Sequence, residues 1–277
     1  LIKKDFRMAY IKPNNFVLEM TQNGEKKAFM SVQDTVTRAY MAGAILGLAA
    51  VFAITINITT GSPLLGSILF PIGFILLYLM GFDLLTGVFI LLPLALITKQ
   101  NKVTLKLLLK NWGLVFVGNL LGALTIAIII SFIFTYGYQT EPNEITEKIA
   151  FIGESRTLGY SEHGYLGWIT IFLRGMLCGW MVSIGIIGTV MATSVIGKIV
   201  VMWMPIMLFF FMGFEHSIVN MFLFPFAIIM GGDFTILDYI IWNEIPTILG
   251  NLVGGLFFTV LSIYLIYFNK EEKYESN

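Results

Sequence analysis

Glu215 and His216 stand side by side in Gly213-Phe-Glu-His-Ser-Ile-Val-Asn-Met-Phe222, the one Glu-His pair of this chain embedded in apolar sequence. Burial disfavours an imidazolium and an approaching anion favours it, so His216 is suited to hold an anion or to lend it a proton. A histidine that only anchors a bent helix would need neither property. At membrane depth ionisable side chains are costly and mark solute or proton routes, which makes His216 the first candidate for chemistry. Asp83 stands in a parallel run, Gly81-Phe-Asp-Leu-Leu-Thr86, with a hydroxyl three residues beyond the acid. The chain has no Gly-x-Ser-x-Gly, P-loop, His-Glu-x-x-His or cysteine cluster, so catalysis is not expected. Its single cysteine, Cys178, reads as a small buried hydrophobe and leaves neither a disulfide nor a thiolate metal site within one copy. No metal or other cofactor is expected.

The two runs are one motif used twice. The chain repeats itself at a constant offset of 132 residues without a gap: Gly43 and Gly47 fall on Gly175 and Gly179, Gly81-Phe-Asp83 on Gly213-Phe-Glu215, and Asn111 on Asn243. Gly118-Asn119-Leu120 with Gly122 likewise falls on Gly250-Asn251-Leu252 with Gly254. Each of the four glycine pairs has the spacing Gly-x-x-x-Gly, which lets helices approach closely, and Asn119 and Asn251 are expected to bond across those approaches. Three spans per copy would insert the second copy upside down and place a solute site near the midplane between them.

With 57% hydrophobic and 12% charged residues among 277, and a mean hydropathy of +0.84, the chain is too apolar for a soluble domain. Residues 39–82, 111–140, 199–214, 217–232 and 245–269 carry no formal charge. Against the roughly 20 apolar residues needed to cross a bilayer, the first run must turn back once, and Asn57-Ile-Thr-Thr-Gly-Ser-Pro63 is the expected turn. Six spans are predicted, near 32–58, 64–98, 104–136, 165–192, 198–231 and 240–268. The fold class is thus an all-α polytopic membrane protein, its repeats covering about 31–136 and 163–268 of a transmembrane domain at 31–268. Lys3, Lys4, Arg7, Lys12, Lys26, Lys27, Lys99, Lys102, Lys106, Lys110, Lys270 and Lys273 then share one face, which the positive-inside rule makes cytoplasmic. Residues 1–30 are expected to be a cytoplasmic leader without chemistry, and 269–277 a cytoplasmic tail. The long loop 137–163 is acidic and expected outside, with the chain in the inner (cytoplasmic) membrane. No cleaved signal peptide is expected. A net charge of zero gives no reason to expect a nucleic-acid partner.

The second and fifth spans are long, and each is interrupted by its Gly-Phe-acid element, which is tolerated where backbone breaks around a protein-lined cavity. The half-helices that follow begin near Leu85-Thr86 and His216-Ser217, and their first N–H groups favour anions. Asp83 and Glu215 would oppose an anion in the pore, so we expect them to point away and tie the broken backbone.

Phe214-Glu-His-Ser-Ile-Val-Asn-Met-Phe222, Gly81-Phe-Asp-Leu-Leu-Thr86 and Lys110-Asn-Trp112 through Gly118-Asn-Leu-Leu-Gly122 resemble the formate/nitrite transporter family, in matching order over about 31–268. The resemblance implies an aquaporin-like protomer of six spans, a homopentamer with one pore per subunit, and small monovalent anions such as formate, nitrite or hydrosulfide as solutes. It makes His216 the central pore histidine and Thr86 its hydrogen-bonding neighbour on the mobile loop Leu84-Leu85-Thr86. Phe70 and Phe209 match its outer constriction; Phe74, Leu85 and Val182 match its inner one. Asn220, within the motif, joins this pathway set.

Two positions depart from the family pattern. Where many members have an asparagine facing the histidine, this chain has Gly179; where they have an outer lysine, it has His163. Gly179 is either a packing glycine or a lost amide that changes the hydrogen bonding of His216. His163, next to Glu162, is either a titratable outer lure or plain solvated loop. Arg174 either draws anions toward the outer vestibule, or snorkels or pairs with a carboxylate at a subunit contact, and we prefer the second. Two functions follow from these residues: a channel or proton-linked carrier for a small anion, formate first, or a pore for neutral solutes such as water, ammonia or an uncharged weak acid.

Overall fold

The computed structural model describes residues 10–98 and 102–268. Lys3, Lys4, Arg7, Lys99, Lys270, Lys273 and the tail 269–277 lie outside the described residues. Apart from one bridge between Tyr10 and Ala192, the regular structure among the described residues is helical.

The chain begins with α1 (Pro13–Ala28), followed by α2 (Val32–Thr60), which opens where Ser31 accepts a hydrogen bond from the Asp34 amide. Nothing in its apolar sequence breaks α2 until Gly61 takes a left-handed conformation at φ 65°. The expected turn at 57–63 is therefore reduced to Gly61-Ser62, with Asn57 inside the helix. Ser62 and Pro63 start α3 (Pro63–Leu69), and the chain kinks at Phe70-Pro71 before α4 (Ile72–Leu79), because Pro71 offers no N–H to continue the ladder. After the break come α5 (Leu85–Ile97) and α6 (Leu105–Phe134).

The second half repeats this order with α7 (Glu144–Ser155), α8 (Leu158–Ser161), α9 (Gly164–Met191), α10 (Val195–Phe211) and α11 (Ser217–Ile229). The last helix runs from α12 (Ile236–Tyr239) through a π-helical turn, Ile240–Glu244, into α13 (Ile245–Gly255) and two further π-helical segments. Among the described residues four helices are long and apolar enough to cross a membrane: α2, α6, α9 and Ile236–Tyr267. The segments Pro63–Leu79, Leu85–Ile97, Val195–Phe211 and Ser217–Ile229 are shorter apolar helices.

The 132-residue offset carries α2 onto α9, α5 onto α11 residue for residue, and α6 onto the last helix. It also relates α1 to α7, which the sequence reading treated as a leader without chemistry and as part of a loop. Both are helices with one buried side. Phe16, Val17 and Met20 pack α1 against α5, while Ile149, Ala150 and Gly153 are the buried side of α7, which rests on α11.

One feature does not obey the offset. A Cβ on Gly43 would lie 2.1 Å from the Asn119 carbonyl oxygen, a contact only glycine permits. Its sequence partner is Gly175, yet the matching contact is made by Gly179, whose Cβ would lie 2.2 Å from the Asn251 carbonyl. The crossing of α9 with α13 is thus slipped by one turn relative to that of α2 with α6.

Candidate functional site

Each break is built the same way. Gly81 (φ 72°) and Gly213 (φ 64°) take the left-handed conformation that reverses the chain after α4 and α10. The next amides, of Phe82 and Phe214, close back onto the Leu77 and Phe209 carbonyls at 2.8 and 3.0 Å. Asn119 then clamps the first break: its Oδ1 accepts from the Leu85 amide at 3.0 Å, and its Nδ2 donates to the Asp83 carbonyl at 2.9 Å and the Ala39 carbonyl at 2.8 Å. Asn251 treats the Ser217 amide (3.0 Å), the Glu215 carbonyl (2.8 Å) and the Gly175 carbonyl (2.8 Å) alike. The bonds to the Ala39 and Gly175 carbonyls are the cross-helix bonds expected of these asparagines, and the clamp on each break is added to them. A consequence is that the first amide of each half-helix is already occupied.

The acids are held from the flanking helices. Lys27 of α1 pairs with Asp83, and its carbonyl accepts from Asn111 Nδ2 at 3.0 Å. Arg156, just after α7, donates from Nε to Glu215 Oε1 at 2.9 Å, and its carbonyl accepts from Asn243 Nδ2 at 2.9 Å. Asn220 sits in this second cluster, its Nδ2 donating to Glu215 Oε2 at 3.0 Å and Asn243 Oδ1 at 2.6 Å. Two cations from unrelated local sequence thus serve equivalent breaks.

Between the breaks, Thr86 Oγ1 lies 3.1 Å from His216 Nε2, which brings the starts of α5 and α11 together. His216 Nδ1 accepts from the Val219 amide at 3.3 Å, capping α11. That bond assigns the ring proton of the neutral imidazole to Nε2, facing Thr86. The imidazole also touches the rings of Phe74 (centroids 5.3 Å) and Phe209 (5.8 Å), and Phe70 contacts both phenylalanines at 5.8–5.9 Å. Phe70, Phe74 and Phe209 are almost fully buried and form one continuous cluster of rings.

A cavity opens on each side of this centre. The one beside α1, about 360 Å³, is lined by Tyr78, Gly81, Phe82, Leu84, Gly87 and Leu91 among others. The one beside α7, about 230 Å³, is lined at the positions 132 residues on: Phe210, Gly213, Phe214, His216, Val219 and Leu223. Leu84 and His216 are therefore counterparts, an apolar side chain facing one cavity and an imidazole facing the other.

Residues 14–265 match the family described as Formate/nitrite transporter. The chain belongs to the formate/nitrite transporter family. It is 30% identical over 276 residues to an uncharacterized transporter, YrhG, of Bacillus subtilis, covering 96% of this chain and 97% of that one. It is 28% identical over 268 residues to the formate channel BtFdhC of Bacillus thuringiensis, covering 94% and 97%. A solved pentameric formate channel with formate bound superimposes with a TM-score of 0.71 at 28% identity, covering 88% of this chain and 99% of that one. This formate/nitrite transporter family chain is a membrane transport protein and not an enzyme.

Within this family member the remaining candidate residues divide. Leu85 and Val182 are buried in the common core and are not among the residues lining the two cavities beside α1 and α7. Gly179 sits at the crossing of α9 and α13, where any side chain would strike the Asn251 backbone. His163 is exposed next to Glu162 and stands at the start of α9. Arg174 lines the α7-side cavity, and within one copy its hydrogen-bond partner is a hydroxyl. It donates from Nη1 to the Tyr160 hydroxyl at 2.5 Å and lies over that ring. Burial holds the Tyr160 phenol above the ordinary tyrosine range, and the Glu215 charge adds to this, so it meets Arg174 as a neutral acceptor.

Proposed function

We propose that this chain forms a transmembrane pore for small monovalent anions, formate first, in which His216 and Thr86 meet the solute midway between two cavities. The observation that carries this reading is the 3.1 Å contact of Thr86 with His216, made where the starts of two half-helices converge. An anion entering from the α7-side cavity reaches a guanidinium at Arg174 and then the imidazole edge, with Phe74 and Phe209 around it. Charge is poorly tolerated in that aromatic surrounding, so His216 takes a second ring proton from solution as the anion arrives, gives one proton to the anion and returns to the neutral imidazole, and the neutral acid crosses. Leu84, Leu85 and Val182 form the apolar remainder of the path toward the α1-side cavity.

In this account six spans form an inverted repeat, with α3–α5 and α10–α11 as the broken second and fifth spans. The α1-side cavity faces the cytoplasm, as do residues 1–30, 269–277 and both termini, and the chain resides in the inner membrane. Five copies assemble, as the likeness to a solved pentameric formate channel supports, and in this reading each copy holds its own pore. Nitrite and hydrosulfide are the alternative solutes.

Uptake of formate, nitrite and hydrosulfide into liposomes, with and without an imposed proton gradient, tests this. Saturable formate uptake that rises with an inward proton gradient supports the proton-lending step. Uptake indifferent to the gradient removes that step, and uptake of water or ammonia without any of the anions removes the anion pore.

A further inference from the structure

Glu244 takes no part in the function proposed above, yet it is one of the most deeply placed acids of the chain, 8% exposed at the end of the π-helical turn. Its Oε2 accepts from the Tyr239 hydroxyl at 2.7 Å and its Oε1 from the Ser217 hydroxyl. Among the described residues no cation is bonded to it. The other ionisable groups around it are Tyr239, Glu215, which Arg156 holds, and His216, which immediately precedes Ser217.

The repeat shows the same position without an acid. Glu244 falls on Trp112 and Ser217 on Leu85, and Trp112 turns its Nε1 to the Val88 carbonyl at 3.1 Å. The first residue of α5 is thus a leucine, with an indole at the position equivalent to Glu244, whereas the first residue of α11 carries a hydroxyl bonded to a buried carboxyl. A negative charge beside the first turn of a helix is stabilised by the helix and in turn offsets its positive end. Conduction needs a site that binds strongly enough to admit a solute and weakly enough to release it.

We infer that Glu244 is an affinity-setting residue of the pore: its carboxylate, held behind the start of α11 by Ser217 and Tyr239, offsets the positive end facing the anion and speeds release. This rests on the anion-pore reading.

The test measures initial formate uptake against concentration, using the full chain in liposomes in mildly alkaline medium, for wild type and Glu244→Gln. Glu244→Met, neutral and of similar volume, is the second variant, and thermal unfolding checks that each assembles. Loss of the charge is expected to lower the half-saturating formate concentration about tenfold, the scale of one unit charge about ten ångströms away in a protein interior, and to reduce the maximal rate. A residue with only a structural role would lower the maximal rate without tightening binding. If both variants match wild type, or bind formate more weakly, the inference is overturned and the pore reading stands. If wild type shows no uptake above protein-free liposomes, both fall.

Discussion

Replacing Arg156 by methionine removes the only cation bonded to Glu215 among the described residues, while keeping most of the volume of the side chain. Glu215 is completely buried and the arginine side chain is 24% exposed, with Nε and Oε1 2.9 Å apart. Removing one partner of a buried pair costs about 3–5 kcal/mol, because the remaining charge has no counter-ion. Asn220 still donates to Glu215 at 3.0 Å and Asn243 at 3.5 Å, and water reaches the arginine side, so the lower end applies. At about 3 kcal/mol the apparent unfolding midpoint falls by roughly 6–12 °C for a chain of this size. The double variant Arg156→Met with Glu215→Gln removes the stranded charge and is expected to recover most of that loss. Tryptophan fluorescence during heating of the purified protein in detergent reads both. If Arg156→Met melts with wild type, or if the double variant is no better than the single, Glu215 is not held as the charged partner of Arg156. Lys27→Met should move the midpoint in the same direction, since Lys27 does for Asp83 what Arg156 does for Glu215.

Gly179→Ala places a methyl 2.2 Å from the Asn251 carbonyl and is expected to cost about 2–3 kcal/mol by overpacking, seen as a lower unfolding midpoint. A variant as stable as wild type would show that the crossing of α9 and α13 is looser than drawn. Phe209→Ala removes the ring shared by Phe70, Phe74 and His216 and should admit a larger monocarboxylate such as lactate, measured by uptake in liposomes. Unchanged size selection would take Phe209 out of the constriction.

The repeat and the motif residues carried much of this architecture at the level of sequence. Gly81 and Gly213 announced the breaks because a glycine before an acid in an apolar run has few other uses there. Gly179 was harder. The ungapped offset pairs it with Gly47, and only the one-turn slip between the helix crossings shows that it does the work of Gly43. Arg156 was hidden for a different reason. It lies in a charged segment without a repeat partner of the same type, and its distance of 59 residues from Glu215 leaves no local pattern. The packing of α1 and α7 was missed because short amphipathic helices are stabilised by the surface they cover, here α5 and α11, and not by their own sequence. The ring contacts joining Phe70, Phe74 and Phe209 to His216 depend on the kink at Pro71 and the turn at Gly213, which periodicity does not encode.

The central claim is that solute meets the imidazole of His216 beside Thr86. Formate uptake by liposomes containing wild type or His216→Asn, followed across about pH 5 to 8, where an imidazole ordinarily changes charge, tests it most directly. The account predicts that wild type responds to pH and that assembled His216→Asn loses this response along with most of its uptake. A variant with the same uptake and the same pH response as wild type would contradict it.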